Sequence, residues 1–199
     1  MPDPTAPFGF FRVAAACPRV HVADPEANLA EILETVEEAR KAGVQALVLP
    51  ELSLTGYTCG DLFFSATLQA AAERALQRLL DKTQASPMLI AVGLPLPLDG
   101  RLFNVAAVAQ AGRLVGVVPK SFLPGYREYY EERWFSSARD AAAVEVRFAG
   151  QRAPFGADLL FAVESEPNVV ARKSRRPSPF TSPSGAVSLK KRSRAIVFV

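Results

Sequence analysis

The chain has 199 residues, of which 49% are hydrophobic and 22% charged, and its formal net charge is +3. At roughly 150 residues per domain this length fits one domain and a remainder, and the apolar fraction excludes disorder throughout. Two cysteines exclude a disulfide scaffold, and one histidine, His21, excludes a histidine-rich metal site and argues against a Ser-His-Asp triad. We therefore expect no metal site.

The longest apolar run, residues 87–98, has 12 residues and contains three prolines. A membrane span needs about 20 apolar residues, so we expect no membrane partner. No basic residue precedes Arg12, which argues against a signal peptide. These observations predict a cytoplasmic protein.

The charge is distributed unevenly along the chain. Residues 166–199 contain eight basic residues and one acid, whereas residues 1–165 contain 15 basic and 19 acidic residues. We therefore predict an acidic domain over 1–165 and a basic, Pro/Ser-rich tail over 166–199 that is disordered. The tail lacks interleaved aromatic residues, so we do not expect nucleic acid as a partner.

The first third of the chain predicts a βαβ unit. Residues 11–17 (FRVAAAC) read as a short buried strand. Asp24 and Pro25 then form a helix N-terminus, and Gly43 follows its C-terminus after a run of apolar residues at helical spacing. Residues 44–49 (VQALVL) predict the next strand, so the helix is a crossover between strands.

The remaining elements continue the α/β pattern. Residues 65–82 have helical periodicity, and residues 88–94 (MLIAVGL) predict a buried strand. Residues 103–109 and 114–118 predict a hairpin with a glycine in its turn. Residues 144–164 add two short strands separated by a Gly/Pro loop. The predicted fold class is α/β, and the tail follows neither period.

Two charged residues follow apolar strands directly. Glu51 follows residues 44–49, and ligands of α/β sheets bind at the carboxyl ends of strands, where a carboxylate suits general-base work. Lys120 follows the second strand of the hairpin, where an ammonium can stabilise an oxyanion. An ordinary loop glutamate and a surface lysine are the alternatives. The aromatic and charged run over 126–132 is either a wall of the site or an amphipathic turn.

Several segments together resemble the nitrilase-type carbon–nitrogen hydrolases, and more narrowly the N-terminal glutaminase domain of glutamine-dependent NAD synthetases. The resemblance extends from about residue 8 to residue 164, and the blocks TGYTCGDLF and PKSFLPGYREYYEERW are the most specific to this branch. The segments that carry it are LVLPELSLTGYTCGDLFF, LIAVGLP, LFNVAAV, GRLVGVVPKSFLPGYREYYEERWF and PFGADLLF.

The resemblance implies an αββα sandwich with a Glu–Lys–Cys triad that hydrolyses the side-chain amide of glutamine. By motif match, Glu51 is the general base and Lys120 the oxyanion lysine. Tyr57 and Tyr126 line the glutamine pocket, and Glu131 is a second carboxylate supporting the site. The resemblance also implies a homo-oligomer, and ammonia delivery to a separate synthetase domain that uses ATP and deamido-NAD.

One departure from the family pattern concerns the nucleophile. The family cysteine follows the strand after PFGADLLF and precedes Glu-Asp-Leu, but no cysteine follows Cys59 here. We interpret Cys17 and Cys59 as structural thiols, so no nucleophile is found. A glycine-rich ATP-binding loop is also missing from the sequence, so no cofactor is expected in this chain. We therefore predict an incomplete, C-terminally truncated glutaminase domain that is itself inactive, with an uncovered apolar sheet face.

Two other functions stay open. Another nitrilase-type amidase is the first, although the two branch-specific blocks argue against it. A non-catalytic interaction module that uses the basic tail is the second, and the missing nucleophile favours it. The tail over 166–199 is either the product of a frameshift or an authentic divergent end.

Overall fold

The computed structural model describes residues 11–163, 169–173 and 194–197, with side chains for residues 11–161. Its helices are α1 (Pro25–Lys41), α2 (Ala66–Lys82) and the single turn α3 (Glu131–Trp134), and short 3₁₀ turns occupy Tyr57–Phe64 and Ala138–Asp140. Its strands are β1 (Val13–Ala15), β2 (Ala46–Val48), β3 (Leu89–Leu98), β4 (Arg101–Gln110), β5 (Arg113–Pro119), β6 (Glu145–Phe148), β7 (Gln151–Pro154), β8 (Leu159–Val163), β9 (Val169–Lys173) and β10 (Arg194–Val197).

The centre of the fold is a five-stranded sheet in the order β1-β2-β3-β4-β5. The first three strands run parallel, and β3, β4 and β5 pair antiparallel. The predicted α/β class and the βαβ unit are confirmed.

Helix α1 begins where the sequence predicts. The Asp24 side chain caps it by accepting a hydrogen bond from the Ala27 N–H at 3.0 Å, and Pro25 occupies the first helical position. Its apolar stripe and that of α2 pack together on one face of the sheet, against Leu47, Ile90 and other side chains of alternating strand positions.

Strand β3 extends four residues beyond the predicted end at Leu94, through Pro95 and Pro97. Residues at odd positions of β3 direct their N–H groups away from β4. The Leu89 N–H donates to Gln45 at 2.9 Å, and the Gly93 N–H donates to Ser53 Oγ at 3.2 Å. Pro95 and Pro97 are also at odd positions, so the N–H groups that they lack would have pointed away from β4. Pairing with β4 therefore continues to Leu98.

Three hairpins share one turn chemistry. Each loop is a non-glycine residue followed by glycine, both with φ between 47° and 74°, which is the two-residue turn that matches strand twist. The Ala111-Gly112 turn confirms the predicted hairpin. The Asp99-Gly100 and Ala149-Gly150 turns were not predicted, and strand β7 after the last of them lies in the predicted Gly/Pro loop.

The second face of the sheet is made of small and apolar residues that Leu159 and Phe161 of β8 partly cover. Strand alternation places Val13 and Val48 on this same face, where they are 65% and 39% exposed. Within the described residues, therefore, one helical layer and one sheet of the predicted sandwich are present, and the second face is only partly covered.

Two short strands lie within the tail that was predicted to be disordered. Strands β9 and β10 flank β8 antiparallel, in the order β10-β8-β9. Their sequences, VVARK and RAIV, are rich in residues that favour strands but are too short to show a period. The rest of the predicted tail lies outside the described residues.

Gly93 provides a test of how the sheet is joined to the loop after β2. An added Cβ would lie 2.8 Å from the Pro50 carbonyl oxygen and 2.9 Å from the Glu51 carbonyl carbon, which is closer than packing allows. We therefore expect Gly93→Ala to lower the free energy of unfolding by about 1–3 kcal/mol, measured by urea denaturation.

Gly125→Ala is the matched control, because its Cβ would meet Glu132 Cδ at an ordinary 3.5 Å. Equal stability of the two variants would show that the loop does not depend on this close approach.

Candidate active site

Glu51 and Lys120 meet although their strands are not neighbours. Strands β3 and β4 separate β2 from β5, so the ends of these two strands are about 14 Å apart at about 4.8 Å per strand. The loop after β2, which contains Glu51, crosses β3 at Gly93 in the middle of that strand, where the Leu54 N–H donates to the Gly93 carbonyl at 3.0 Å. The crossing brings Glu51 Oε1 to 2.7 Å from Lys120 Nζ.

Asn104 of β4, which was not predicted from the sequence, connects the same two residues. Its side-chain amide donates to Glu51 Oε1, and its backbone carbonyl accepts from the Lys120 N–H at 2.9 Å. Asn104 is buried, with 3% of its surface exposed. A polar residue in the otherwise apolar segment LFNVAAV is the sequence signal that points to it.

Glu131 is the third charged group of the site, and its side chain is only 2% exposed. Lys120 Nζ lies 2.9 Å from Glu131 Oε1 and 2.8 Å from Oε2, and the Tyr57 hydroxyl donates to Oε1 at 2.7 Å. Oε2 is buried and receives no directed hydrogen bond among the described residues. One ammonium therefore bridges two carboxylates, and the three groups together carry a net negative charge.

These contacts shift two titrations. Burial by itself lowers the pKa of Lys120, but hydrogen bonds to Glu131 and Glu51 outweigh it, so the pKa is raised above that of a free lysine. Burial raises the pKa of Tyr57, and its hydrogen bond to Glu131 raises it further. At neutral pH the lysine is therefore a cation and the tyrosine a neutral donor.

Tyr126 is not brought to these groups by any described contact. It is 64% exposed, and its ring packs on Tyr129 with centroids 5.9 Å apart. Its role in a substrate pocket stays a prediction.

The two thiols are placed away from any catalytic contact. Cys17 is exposed, and Cys59 is buried with its Sγ donating to the carbonyls of Thr55 and Gly56 at 3.0 and 3.3 Å. Burial raises the pKa of the Cys59 thiol, which disfavours the nucleophilic thiolate.

A cavity of about 490 Å³ opens beside the charged groups on the second face of the sheet. Glu51, Asn104, Lys120 and Ser121 contribute its polar lining, and small and apolar residues of β2 to β5 contribute most of the rest. Glu131, which contacts Lys120, and Tyr57, which contacts Glu131, do not line the cavity. A small molecule with one polar end fits such a space.

No three His, Cys, Asp or Glu side chains converge as metal ligands within the described part of the chain. None of the helices in that part is both long and apolar enough to cross a membrane.

Replacement of the shared cation tests the coupling within the site. We expect Lys120→Met to lower the free energy of unfolding by about 3 kcal/mol, because it leaves the buried Glu131 carboxylate without its counter-ion. Glu51→Gln is the matched control and should cost about 1 kcal/mol or less, since that carboxylate is 38% exposed. The double variant Lys120→Met/Glu131→Gln should recover part of the loss, and additive losses in urea denaturation would contradict the coupling.

The raised pKa of Lys120 also predicts a pH dependence. A group whose pKa is higher in the folded state stabilises the fold fully below its unfolded pKa, about 10.4, and ceases to do so as pH rises through the folded value. The difference in unfolding free energy between wild type and Lys120→Met should stay constant from neutral pH to about pH 10 and shrink above that. Urea denaturation at a series of alkaline pH values measures it, and a constant difference up to about pH 12 would be inconsistent with the prediction.

Comparison with known proteins places this geometry in a family. A model of the carbon-nitrogen hydrolase family matches residues 12–162. The glutamine-dependent NAD(+) synthetase of Mycobacterium tuberculosis is 38% identical over 162 residues, which are 81% of this chain and 24% of that protein. The corresponding protein of Aquifex aeolicus is 32% identical over 125 residues, covering 63% of this chain and 22% of its own length.

Solved structures agree with the sequence comparisons. A crystal structure of a glutamine-dependent NAD(+) synthetase from Cytophaga hutchinsonii superposes with a TM-score of 0.70 at 30% identity, over 76% of this chain and 26% of that one. An amidase from Nesterenkonia sp. shares the fold, with a TM-score of 0.55 at 21% identity over 71% of this chain and 53% of its own. This chain thus spans about a quarter of the length of the synthetases it matches.

The expected resemblance to the N-terminal region of these synthetases is confirmed, as is the nitrilase-type fold. The matched range, residues 12–162, includes both Glu51 and Lys120. The chain belongs to the carbon-nitrogen hydrolase family.

Proposed function

We propose that this site belongs to the glutaminase part of glutamine-dependent NAD synthesis and is built to bind the side-chain amide of glutamine. The observation that carries the proposal is the Lys120 ammonium, which Glu51 and Glu131 hold at the mouth of the cavity. The similarity to glutamine-dependent NAD(+) synthetases supports the choice of glutamine over other amides.

Each charged group has a role in amide chemistry. An ammonium has three N–H donors, and Glu51 and Glu131 engage two of them, so the third is free to hydrogen-bond an amide carbonyl or the oxyanion that forms from it. Glu51 reaches the cavity and can take a proton from an attacking nucleophile and return it to the departing ammonia. The buried Glu131 does not line the cavity, and its role is to hold the Lys120 ammonium in place from behind.

Covalent chemistry requires a nucleophile that the sequence does not supply. The related amidase from Nesterenkonia sp. AN1 has an active-site cysteine, whereas this chain has only the exposed Cys17 and the buried Cys59. We therefore propose that the chain, taken alone, binds glutamine without hydrolysing it. If a nucleophile were present, the ammonia released from glutamine would serve the ATP-dependent conversion of deamido-NAD to NAD on a separate domain.

The setting of the protein is also part of the proposal. We place the protein in the cytoplasm and expect copies of the chain to associate. Both expectations come from the resemblance to the synthetases. The partly covered second face, with Val13 and Val48 exposed, is consistent with further contacts in an assembly.

A binding and turnover assay tests this function. We expect isothermal titration calorimetry to detect glutamine binding that Lys120→Met abolishes, because the variant lacks the ammonium that the amide carbonyl contacts. We expect no ammonia release above buffer, since loss of a covalent nucleophile lowers turnover by on the order of a million-fold. Asparagine, which is one methylene shorter, is the control ligand.

Two outcomes would contradict the proposal. Absence of glutamine binding to the folded protein would remove the assignment of the site. Ammonia release that survives Cys59→Ser and is lost in Glu51→Gln would reveal a nucleophile that this proposal does not include, and the further variant Cys17→Ser would show whether it is the other thiol.

A further inference from the structure

The position of Glu131 is not explained by the helix that carries it. Helix α3 consists of Glu131–Trp134, a single turn, and an isolated turn of helix has no stability of its own. Its local hydrogen bonds include the Glu131 N–H to the Pro124 carbonyl at 3.2 Å and the Phe135 N–H to the Glu131 carbonyl at 2.8 Å. A carboxylate that must meet Lys120 in a buried position needs more support than this.

That support comes from Asp61. The Arg133 guanidinium donates to both Asp61 oxygens, from Nε at 2.7 Å and from Nη2 at 2.8 Å, and the Trp134 indole N–H donates to Oδ1 at 2.9 Å. A bidentate arginine–carboxylate pair fixes orientation as well as distance, and the third donor removes the remaining freedom of the carboxylate.

An aromatic contact continues the same junction. Phe63 is fully buried, and its ring lies edge-on to Trp134 at 5.9 Å and tilted against Phe135 at 4.9 Å between centroids. The segment Tyr57–Phe64 therefore contacts α3 at two further points. Tyr57, at the start of the segment, bonds to Glu131, and Asp61 bonds to Arg133.

We propose that Asp61, Arg133 and Trp134 form a positioning latch that holds Glu131 against Lys120. The latch residues do not line the cavity and act on the site only through Glu131. The inference rests on the proposed function in one respect, that Lys120 is the cation which the site presents to its ligand.

The latch contributes placement more than stability. Asp61 and Arg133 are each about 60% exposed, and exposed ion pairs contribute little to the free energy of unfolding. The hydrogen bond from Arg133, followed by that from Trp134, holds the pKa of Asp61 well below its usual range, so the latch is charged and closed at neutral pH. Its loss should release α3 while leaving the sheet folded.

Lysine acylation measures this release directly. Trace acetic anhydride labels unprotonated, accessible amines, and mass spectrometry of the peptides compares Lys120 with Lys82 as an internal reference. In Asp61→Asn we expect the labelling of Lys120 relative to Lys82 to rise at least about threefold. The reason is that loss of the Glu131 contact exposes the Lys120 amine and lowers its pKa. A decrease of one pKa unit raises the fraction of unprotonated amine about tenfold. Trp134, the single tryptophan, should shift its emission in the same variant.

Matched variants keep the result interpretable. Glu131→Gln should raise the labelling of Lys120 as Asp61→Asn does, and Glu34→Gln, which removes an exposed carboxylate on α1, should leave it at the wild-type value. Should Asp61→Asn fail to fold by circular dichroism, Arg133→Lys decides, since it keeps the charge but loses the fork and should also raise the labelling.

Wild-type labelling of Lys120 in a folded latch variant would overturn the proposal, as would wild-type labelling in Glu131→Gln. None of these measurements uses glutamine, so a failure of glutamine binding leaves their outcome unaffected.

Discussion

The rest of the site depends on one interaction, the contact of the Lys120 ammonium with the carboxylates of both Glu51 and Glu131. It joins the end of β2, the end of β5 and the single turn α3, which are far apart along the chain. Removing these charges from water has a cost that packing does not return, and such arrangements concentrate at functional sites. Two features support this contact. The loop that crosses Gly93 brings Glu51 within reach of Lys120, and the Asn104 amide holds the Glu51 carboxylate there.

Local signals predicted most of the fold. The Asp24 cap, the helical stripes of α1 and α2 and the Ala-Gly turn between β4 and β5 depend on neighbours in sequence, so the pattern reveals them. The extension of β3 through Pro95 and Pro97 depends on which edge β4 occupies, and that is a tertiary fact. The short β9 and β10 have the same cause, since pairing with β8 defines them rather than any period of their own.

The site was predictable in part for the same reason. Glu51 and Lys120 follow apolar strands, so position alone nominates them, whereas Glu131 was proposed only from the family resemblance. Asn104 was missed because its importance comes from tertiary placement, which puts its side chain on Glu51 and its backbone carbonyl on the Lys120 N–H. The sequence could not reveal that Tyr126 is exposed, since exposure depends on how the loop after Lys120 folds.

The two prolines of β3 have a consequence for how this chain meets other molecules. Beyond Ala91, β3 pairs with β4 alone among the described strands. On its opposite border the loop after β2 hydrogen-bonds to Gly93, and no described strand pairs with the residues that follow. An incoming strand would need N–H donors at the odd positions along that border, and Pro95 and Pro97 have none to offer. The prolines therefore disfavour the addition of a strand from another molecule along this border of β3. The partly uncovered apolar face can still attract a neighbour, but the sheet does not extend at this edge.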